Sequence, residues 1–175
     1  IQSELTNPKL NYRERDRLVR QTRLNNFASD LELIAYCLMP NHFHFLIYQT
    51  NELTIDNFMN SFSTRYVMYF NKKYKRVGPL FQGIYKAVRI ETENQLLYLS
   101  RYIHDQAINS DSTNCRPSSY RNYLGQLSQE WVKPEKVLGY FKSGKRLSRK
   151  EMLSYQSFVE GNIDDDQTLS GITLE

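Results

Sequence analysis

The stretch that decides the fold is residues 31–49, LELIAYCLMPNHFHFLIYQ. Leu31–Leu38 is rich in Leu, Ile and Tyr and has the length of a strand, and His42–Gln49 has the same character. Residues 39–41, Met-Pro-Asn, form a turn signal between them. We therefore expect two antiparallel strands joined as a hairpin.

Helical patterns lie on both sides of this hairpin. Lys9–Ser29 predicts a helix before it. After it, apolar and aromatic residues recur at helical spacing, which predicts a helix from Thr54, as N-cap, to about Lys72. The residues that carry this spacing are Ile55, Phe58, Met59, Phe62, Tyr66, Tyr69 and Phe70.

The second half of the chain continues the alternation. Phe81–Ile90 has a strand pattern. Thr92 and Gln95 form a capping box that opens a helix to about Ala107. Short helices are predicted around residues 119–125, 134–141 and 148–160. This order predicts an α+β fold with helices packed on an antiparallel sheet.

Composition narrows the class of protein. The chain has 175 residues, 23 Lys and Arg against 19 Asp and Glu, and a net charge of +4. No apolar run approaches the roughly 20 residues of a membrane span, and the start does not resemble a signal peptide. Cys37 and Cys115 are too few for a disulfide framework. We expect a cytoplasmic, nucleoid-associated protein with no membrane partner.

The charge is unevenly distributed. Ser61–Ile90 carries Lys and Arg interleaved with aromatic residues and no acid, whereas residues 161–175 are acidic. Bases that neutralise phosphates and rings that stack on nucleobases suit a nucleic-acid surface. The alternative is a solvated basic face whose rings point into the core. The DNA-binding candidates are Arg65, Lys72, Lys73, Lys75, Arg76 and Lys86.

Two of the three histidines lie on the second predicted strand. Because side chains alternate along a strand, His42 and His44 point to one face, and Phe43 and Phe45 point to the other. Two imidazoles on one face can share a metal ion. The alternative for an isolated pair of this kind is two surface histidines.

The helix after the third predicted strand adds further candidates. Tyr102 and Gln106 are four residues apart and share a face, whereas His104 projects elsewhere and is expected on the helix surface. If the Tyr102 face covers the histidine pair, Gln106 can supply a third ligand. A phenolate can attack phosphorus while a divalent cation polarises the phosphate. Mg²⁺ or Mn²⁺ suits such an open site better than a four-ligand structural zinc.

These residues carry a resemblance to a known family. Residues 38–46 resemble the HUH motif of single-strand DNA transposases with one catalytic tyrosine. Residues 78–87, 101–104 and 118–125 are similar to segments of the REP-associated tyrosine transposases. The resemblance spans about residues 31–125, and several ordered motifs are more specific than a lone histidine pair.

The resemblance implies a ferredoxin-like HUH nuclease fold that cleaves single-stranded DNA next to hairpins. The product would be a 5′-phosphotyrosine and a free 3′-OH. Tyr102 takes the position of the nucleophile, His42 and His44 those of the HUH ligands, and Gln106 that of the Asn or Gln ligand. Its partners would be single-stranded or hairpin DNA, and it would act as a monomer or a homodimer.

The chain departs from the family pattern in two places. Gln106-Ala107 replaces the Asn-Pro that is common in REP-associated members. The family begins with a strand that Ile1–Thr6 does not supply, so we expect this strand to be missing. The predicted organisation is a nuclease domain at 1–126, a helical extension at 127–160 and an acidic tail at 161–175.

Two other functions compete with the transposase. A domesticated protein that only binds hairpin DNA would bind without cleaving, although the complete set of His42, His44, Tyr102 and Gln106 argues against it. A hydrolase of small phosphoesters would use activated water and would not need Tyr102. The basic, aromatic segment makes that hypothesis less favourable.

Overall fold

A computed structural model describes residues 7–16, 25–108, 116–142 and 155–161. The described residues group into two compact units. One lies within Ile1–Asp30 and Asn51–Gln82, and the other within Leu31–Thr50 and Gly83–Glu175. The predicted boundaries at residues 126 and 160 stay a prediction. Ile1–Thr6, where a first strand was not found by sequence, lies outside the described residues.

The predicted hairpin is confirmed. Strand β1 (Leu31–Leu38) pairs antiparallel with β2 (Phe43–Gln49), and Cys37 lies opposite His44. The Met39 N–H donates to the His42 carbonyl at 2.9 Å and closes the turn. His42 therefore belongs to the turn, and β2 begins one residue later than the sequence predicted.

The helix after the hairpin is also confirmed, with a different start. Helix α1 spans Thr54–Tyr74, and Leu53 rather than Thr54 is the N-cap, without a side-chain hydrogen bond. Thr54 is buried as the first helical residue. The helix ends at Lys75, whose φ of 52° is left-handed.

The capping box of the next helix forms as predicted. Helix α2 spans Glu93–Ile108. The Gln95 N–H donates to Thr92 Oγ1 at 3.2 Å, and Gln95 Oε1 accepts from the Thr92 N–H at 3.2 Å. Two otherwise unpaired N–H groups at the helix start are thereby satisfied. Within the later part of the chain that the structure describes, further helices are α3 (Tyr120–Tyr123), α4 (Glu135–Lys142) and α5 (Tyr155–Glu160).

The third strand predicted at Phe81–Ile90 is wrong. Residues 81–90 are all described, and none of them is in a strand or helix. Ile84 is 90% exposed, so the apolar residues of this segment do not form a buried face. The predicted first helix is also too long, because residues 12–16 are helical but 25–29 are not.

The core of the second unit lies between the hairpin and the helices that follow it. β1 contributes Ile34, Ala35 and Cys37. Helix α2 packs against both strands, and α4 and α5 pack against α2. The buried helical residues include Leu97, Ile103, Ala107, Val137, Phe158 and Val159. The fold is α+β with a two-stranded antiparallel sheet, consistent with an HUH-type fold.

Candidate functional site

The hairpin brings two histidines together on one face. The imidazole centroids of His42 and His44 are 4.9 Å apart, with their planes at 85°. The rings of Phe43 and Phe45 also pair, with centroids 4.6 Å apart. Because side chains alternate along a strand, this second pair lies on the opposite face from the histidines. His42 is exposed and His44 is half-buried, so the pair is open to solvent on one side.

The turn orients the imidazole of His42 through a hydrogen bond. Its Nδ1 lies 2.7 Å from Asn41 Oδ1. Since an amide oxygen only accepts hydrogen bonds, Nδ1 is the donor, and in the neutral ring the lone pair then lies on Nε2. Histidines that bind metals typically donate from one ring nitrogen and ligate with the other.

Helix α2 adds a tyrosine to this face. The Tyr102 ring is 5.6 Å from the His44 ring, centroid to centroid, in an edge-on arrangement. Tyr102 is half-buried and follows the buried Arg101 on the helix. The structure thus brings His42, His44 and Tyr102 together, as the sequence predicted, while their chemical roles stay predictions.

Gln106 is placed less directly. It lies one turn beyond Tyr102, about 6 Å along the helix axis, and is half-buried. Its backbone carbonyl accepts a hydrogen bond from Arg116 Nη1 at 3.4 Å. Its amide as a metal ligand stays a prediction.

The predicted donor set, two imidazoles and one amide oxygen, is compatible with a divalent cation. Among the described residues, no group of three or more His, Cys, Asp and Glu side chains could hold a metal ion. The predicted site does not need such a group, because its third ligand is an amide. If the Gln106 amide reaches the two histidines, the three residues would form an incomplete ligand set that leaves positions for phosphate oxygen and water.

The third histidine corrects a prediction. His104 is not on the helix surface but fully buried. Its Nδ1 lies 2.6 Å from the Tyr155 hydroxyl and its Nε2 lies 2.7 Å from Ser119 Oγ. Burial lowers the pKa of His104 to about 3, so the ring is neutral at pH 7. Helical spacing predicted the angle between His104 and Tyr102 around the helix axis, but it did not predict which residues cover the side of the helix that carries His104.

A protein-family model described as "Transposase IS200 like" matches residues 10–106, more than half of the chain. The chain belongs to the IS200-like transposase family. The match includes His42, His44, Tyr102 and Gln106, whereas the finer assignment to the REP-associated branch stays a prediction. Neither a curated protein nor a solved structure matches the chain.

Membership of the IS200-like transposases implies an enzyme that acts on DNA, and this family is generally metal-dependent. DNA is therefore the partner. None of the helices among the described residues is long and apolar enough to cross a membrane.

An IS200-like transposase needs a surface for DNA, and α1 together with the residues just after it carries most of the predicted one. The basic side chains on α1 and just after it are exposed: Arg65, Lys72, Lys73, Lys75 and Arg76. The Lys73 ammonium lies 5.8 Å from the Tyr69 ring and 5.3 Å from the Tyr74 ring. These tyrosines raise the pKa of Lys73, so it stays cationic.

Aromatic rings also run along α1 at a spacing of four residues. Phe62 and Tyr66 stack with centroids 6.2 Å apart and planes at 6°, and Phe70 and Tyr74 are 4.4 Å apart. Tyr66, Tyr69 and Tyr74 are exposed. Exposed rings beside cations match the surface expected for single-stranded DNA. Lys86, also exposed, belongs to the other unit.

Proposed function

We propose that this family member is a single-stranded DNA endonuclease and strand transferase that cleaves next to DNA hairpins through a 5′-phosphotyrosine on Tyr102. The observation that carries the proposal is the contact between the Tyr102 and His44 rings, centroids 5.6 Å apart, next to His42. A phenol beside two imidazoles on an open face would supply the nucleophile and two of the three metal ligands that this reaction uses.

In the proposed reaction, the Tyr102 phenolate oxygen attacks the scissile phosphorus. The new bond joins Tyr102 to the 5′-phosphate, and the bond from phosphorus to the 3′-oxygen breaks. The departing 3′-oxygen takes a proton and leaves as a free 3′-OH. Attack by the 3′-OH of another strand reverses these steps, rejoins DNA and releases the tyrosine.

His42, His44 and Gln106 would hold the divalent cation, Mg²⁺ or Mn²⁺. When bound, this cation would polarise the scissile phosphate and stabilise the charge that develops on it. The chain's own contribution is to keep His42 Nε2 free as a ligand, through the hydrogen bond between Nδ1 and Asn41. Asn41 is therefore a supporting residue of the proposed site.

The basic and aromatic side chains of α1 would hold the DNA. Lys72, Lys73, Lys75 and Arg76 would neutralise phosphates, and the exposed Tyr69 and Tyr74 rings would stack on unpaired bases. This combination favours single strands over duplex, because bases in a duplex are already stacked. The same surface would serve a protein that only binds hairpins, so it does not by itself establish catalysis.

The experiment is an adduct assay. The protein is incubated with Mn²⁺ and a labelled pool of hairpin oligonucleotides whose single-stranded flanks are randomised, then run on a denaturing gel. We expect a covalent protein–DNA band that EDTA abolishes. DNA binding with no adduct in Mg²⁺ or Mn²⁺ would favour the non-catalytic hairpin-binding protein instead.

Tyr98→Phe is the matched control for the nucleophile. Tyr98 lies one turn before Tyr102 and packs against Phe158, ring centroids 6.0 Å apart. We expect Tyr102→Phe to abolish the adduct and Tyr98→Phe to retain it. Light scattering of the protein with and without DNA would distinguish a monomer from a homodimer.

A further inference from the structure

The helix that carries Tyr102 is anchored by polar groups on its far side. At 100° per residue, Ser100 and His104 lie about 160–200° around α2 from Tyr102. Both are fully buried. The side of α2 that faces away from the histidine pair is therefore seated in the protein through hydrogen bonds as well as through apolar packing.

His104 bridges two different elements. Its imidazole lies between the Tyr155 hydroxyl of α5, at 2.6 Å, and Ser119 Oγ, at 2.7 Å. Ser119 Oγ in turn accepts from the Tyr36 N–H of β1 at 2.8 Å. Because the Tyr155 hydroxyl donates its proton to Ser100, its oxygen accepts from His104 Nδ1–H, and the Ser119 hydroxyl can donate to Nε2.

Two further contacts join α2 to the end of α5. Tyr155 donates to Ser100 Oγ at 3.3 Å. Arg101 Nη2 donates to the Gly161 carbonyl at 2.7 Å, and the Arg101 guanidinium lies 5.9 Å from the Phe158 ring centroid. Arg101 is 7% exposed, so this charged side chain is held within the interface.

Buried hydrogen bonds restrict the position of a helix more strongly than apolar packing does. If α2 slid or rotated by one residue, His104 would lose both partners and leave buried polar atoms unpaired, which is strongly unfavourable. An apolar side chain at the same place would lose only part of its packing. The two hydrogen bonds of His104 therefore favour one rotation of α2 over its neighbours.

We propose that Arg101, His104 and Tyr155 are positioning residues, through which α5 holds α2 in the rotation that places the Tyr102 ring beside His44. This inference rests on the proposed function of Tyr102. It makes α5 part of the catalytic unit, although α5 lies beyond residues 10–106, which match the family.

The test compares two buried tyrosines that lose the same atom. Tyr155→Phe removes the hydroxyl that contacts His104 and Ser100. Tyr123→Phe removes a hydroxyl that donates to the Ile34 carbonyl at 3.0 Å, while its ring also packs against His104, centroids 4.6 Å apart. Only the first change breaks a hydrogen bond to α2.

The first readout needs no DNA. With 3-fluorotyrosine incorporated at position 102 alone, the ¹⁹F resonance reports the surroundings of that ring. We expect the Tyr123→Phe protein to keep the signal of the parent and Tyr155→Phe to shift or broaden it. A folded Tyr155→Phe protein with the parent's signal would overturn the inference, whether or not the protein cleaves DNA.

The second readout is the rate of adduct formation at saturating hairpin pool, with native Tyr102. We expect Tyr155→Phe to slow it about 10- to 100-fold with unchanged DNA affinity, because a displacement near 1 Å can cost this much. Equal slowing by both variants would reduce Tyr155 to a stabilising role and overturn the inference. A ¹⁹F change in Tyr155→Phe, with no adduct from the parent, would instead support the positioning and contradict the proposed function.

A second pair of variants, both at Arg101, tests the proposal if Tyr155→Phe does not fold. Arg101→Lys keeps a donor for the Gly161 carbonyl, and Arg101→Met does not. We expect the Met variant to change the ¹⁹F signal and slow the adduct, and the Lys variant to recover part of both. Identical signals in the parent and both folded variants would again contradict the proposal.

Discussion

Helices α1 and α2 are built in opposite ways. α1, fully described over 21 residues, buries Thr54 and Met59 and has Lys72 and Lys73 in its last turn. α2, fully described over 16 residues, buries seven, among them Arg101 and His104. A helix with few buried residues tolerates displacement and presents charge, whereas one with many is held in one place. We therefore expect α1 to contact DNA and α2 to place the reacting group.

Apart from the loss of the Tyr102 hydroxyl itself, the largest effect is expected at the histidine pair. His44→Ala should lower the rate of adduct formation at least 100-fold and leave hairpin binding intact, since removing even a supporting residue of a metal site costs about 10–100-fold. Adduct rate and DNA affinity are measured on the same hairpin pool.

Asn41→Ala is a milder change at the same proposed metal site. It removes the acceptor of the His42 Nδ1 hydrogen bond but keeps both imidazoles. We expect a smaller loss that excess Mn²⁺ partly recovers. If His44→Ala were as active as the parent, the histidine pair would not be a metal site.

The next effect concerns the stability of α2. His104→Ala leaves a cavity and removes one hydrogen-bond partner each from Ser119 and Tyr155, so we expect the free energy of unfolding to fall by about 2–5 kcal/mol. Urea denaturation followed by circular dichroism measures this change. A loss below about 0.5 kcal/mol, typical of surface substitutions, would show that His104 is not seated as described.

The burial of His104 also makes the free energy of unfolding depend on pH. The pKa of His104 is about 3 in the folded protein and 6.5 when exposed. The unfolded state therefore binds more protons between these values, and stability falls as the pH falls from about 6.5 toward 3.

The contribution of His104 to the free energy of unfolding is complete above about pH 6.5. Below that pH, the contribution falls by at most about 1.4 kcal/mol per pH unit. Because carboxylates also titrate below pH 5, urea midpoints of the parent are compared with those of His104→Gln from pH 7 to 5. The parent should lose stability more steeply than the variant. Parallel curves would mean that the buried ring is not the titrating group.

The smallest effect is expected on α1. Lys73→Ala should change stability by less than about 0.5 kcal/mol, because the side chain is exposed. It should weaken hairpin binding. It should also reduce the steepness of the plot of log K against log salt concentration by about 0.7, because that is the effect of losing one phosphate contact to a single strand.

Lys136→Ala is the matched loss of charge elsewhere. Lys136 already contacts Glu32 at 3.5 Å and lies 3.8 Å from the Tyr48 ring centroid. We expect it to leave the salt slope unchanged. Equal slopes for the parent and Lys73→Ala would remove Lys73 from the DNA surface.

Local sequence signals predicted the parts of this fold that local interactions determine. The hairpin follows from two apolar stretches around a turn, and α2 follows from the capping box of Thr92 and Gln95. Strand alternation predicted that His42 and His44 share a face, and the family resemblance implied that Tyr102 lies beside them.

The errors arose where a distant partner decides the outcome. Residues 81–90 have the composition of a strand, but a strand needs a paired neighbour, and Ile84 is 90% exposed. The burial of His104 depends on Tyr155, which is 51 residues further along the chain. Helical spacing gives directions around an axis, but it does not tell what will pack there.

The most direct test of the central claim is to identify the residue joined to DNA. The adduct formed with Mn²⁺ and the hairpin pool is digested with nuclease and protease and sequenced by mass spectrometry. The account predicts a nucleotide phosphate on Tyr102, and no adduct in Tyr102→Phe. A phosphate on another residue, or cleavage that persists in Tyr102→Phe, would contradict it.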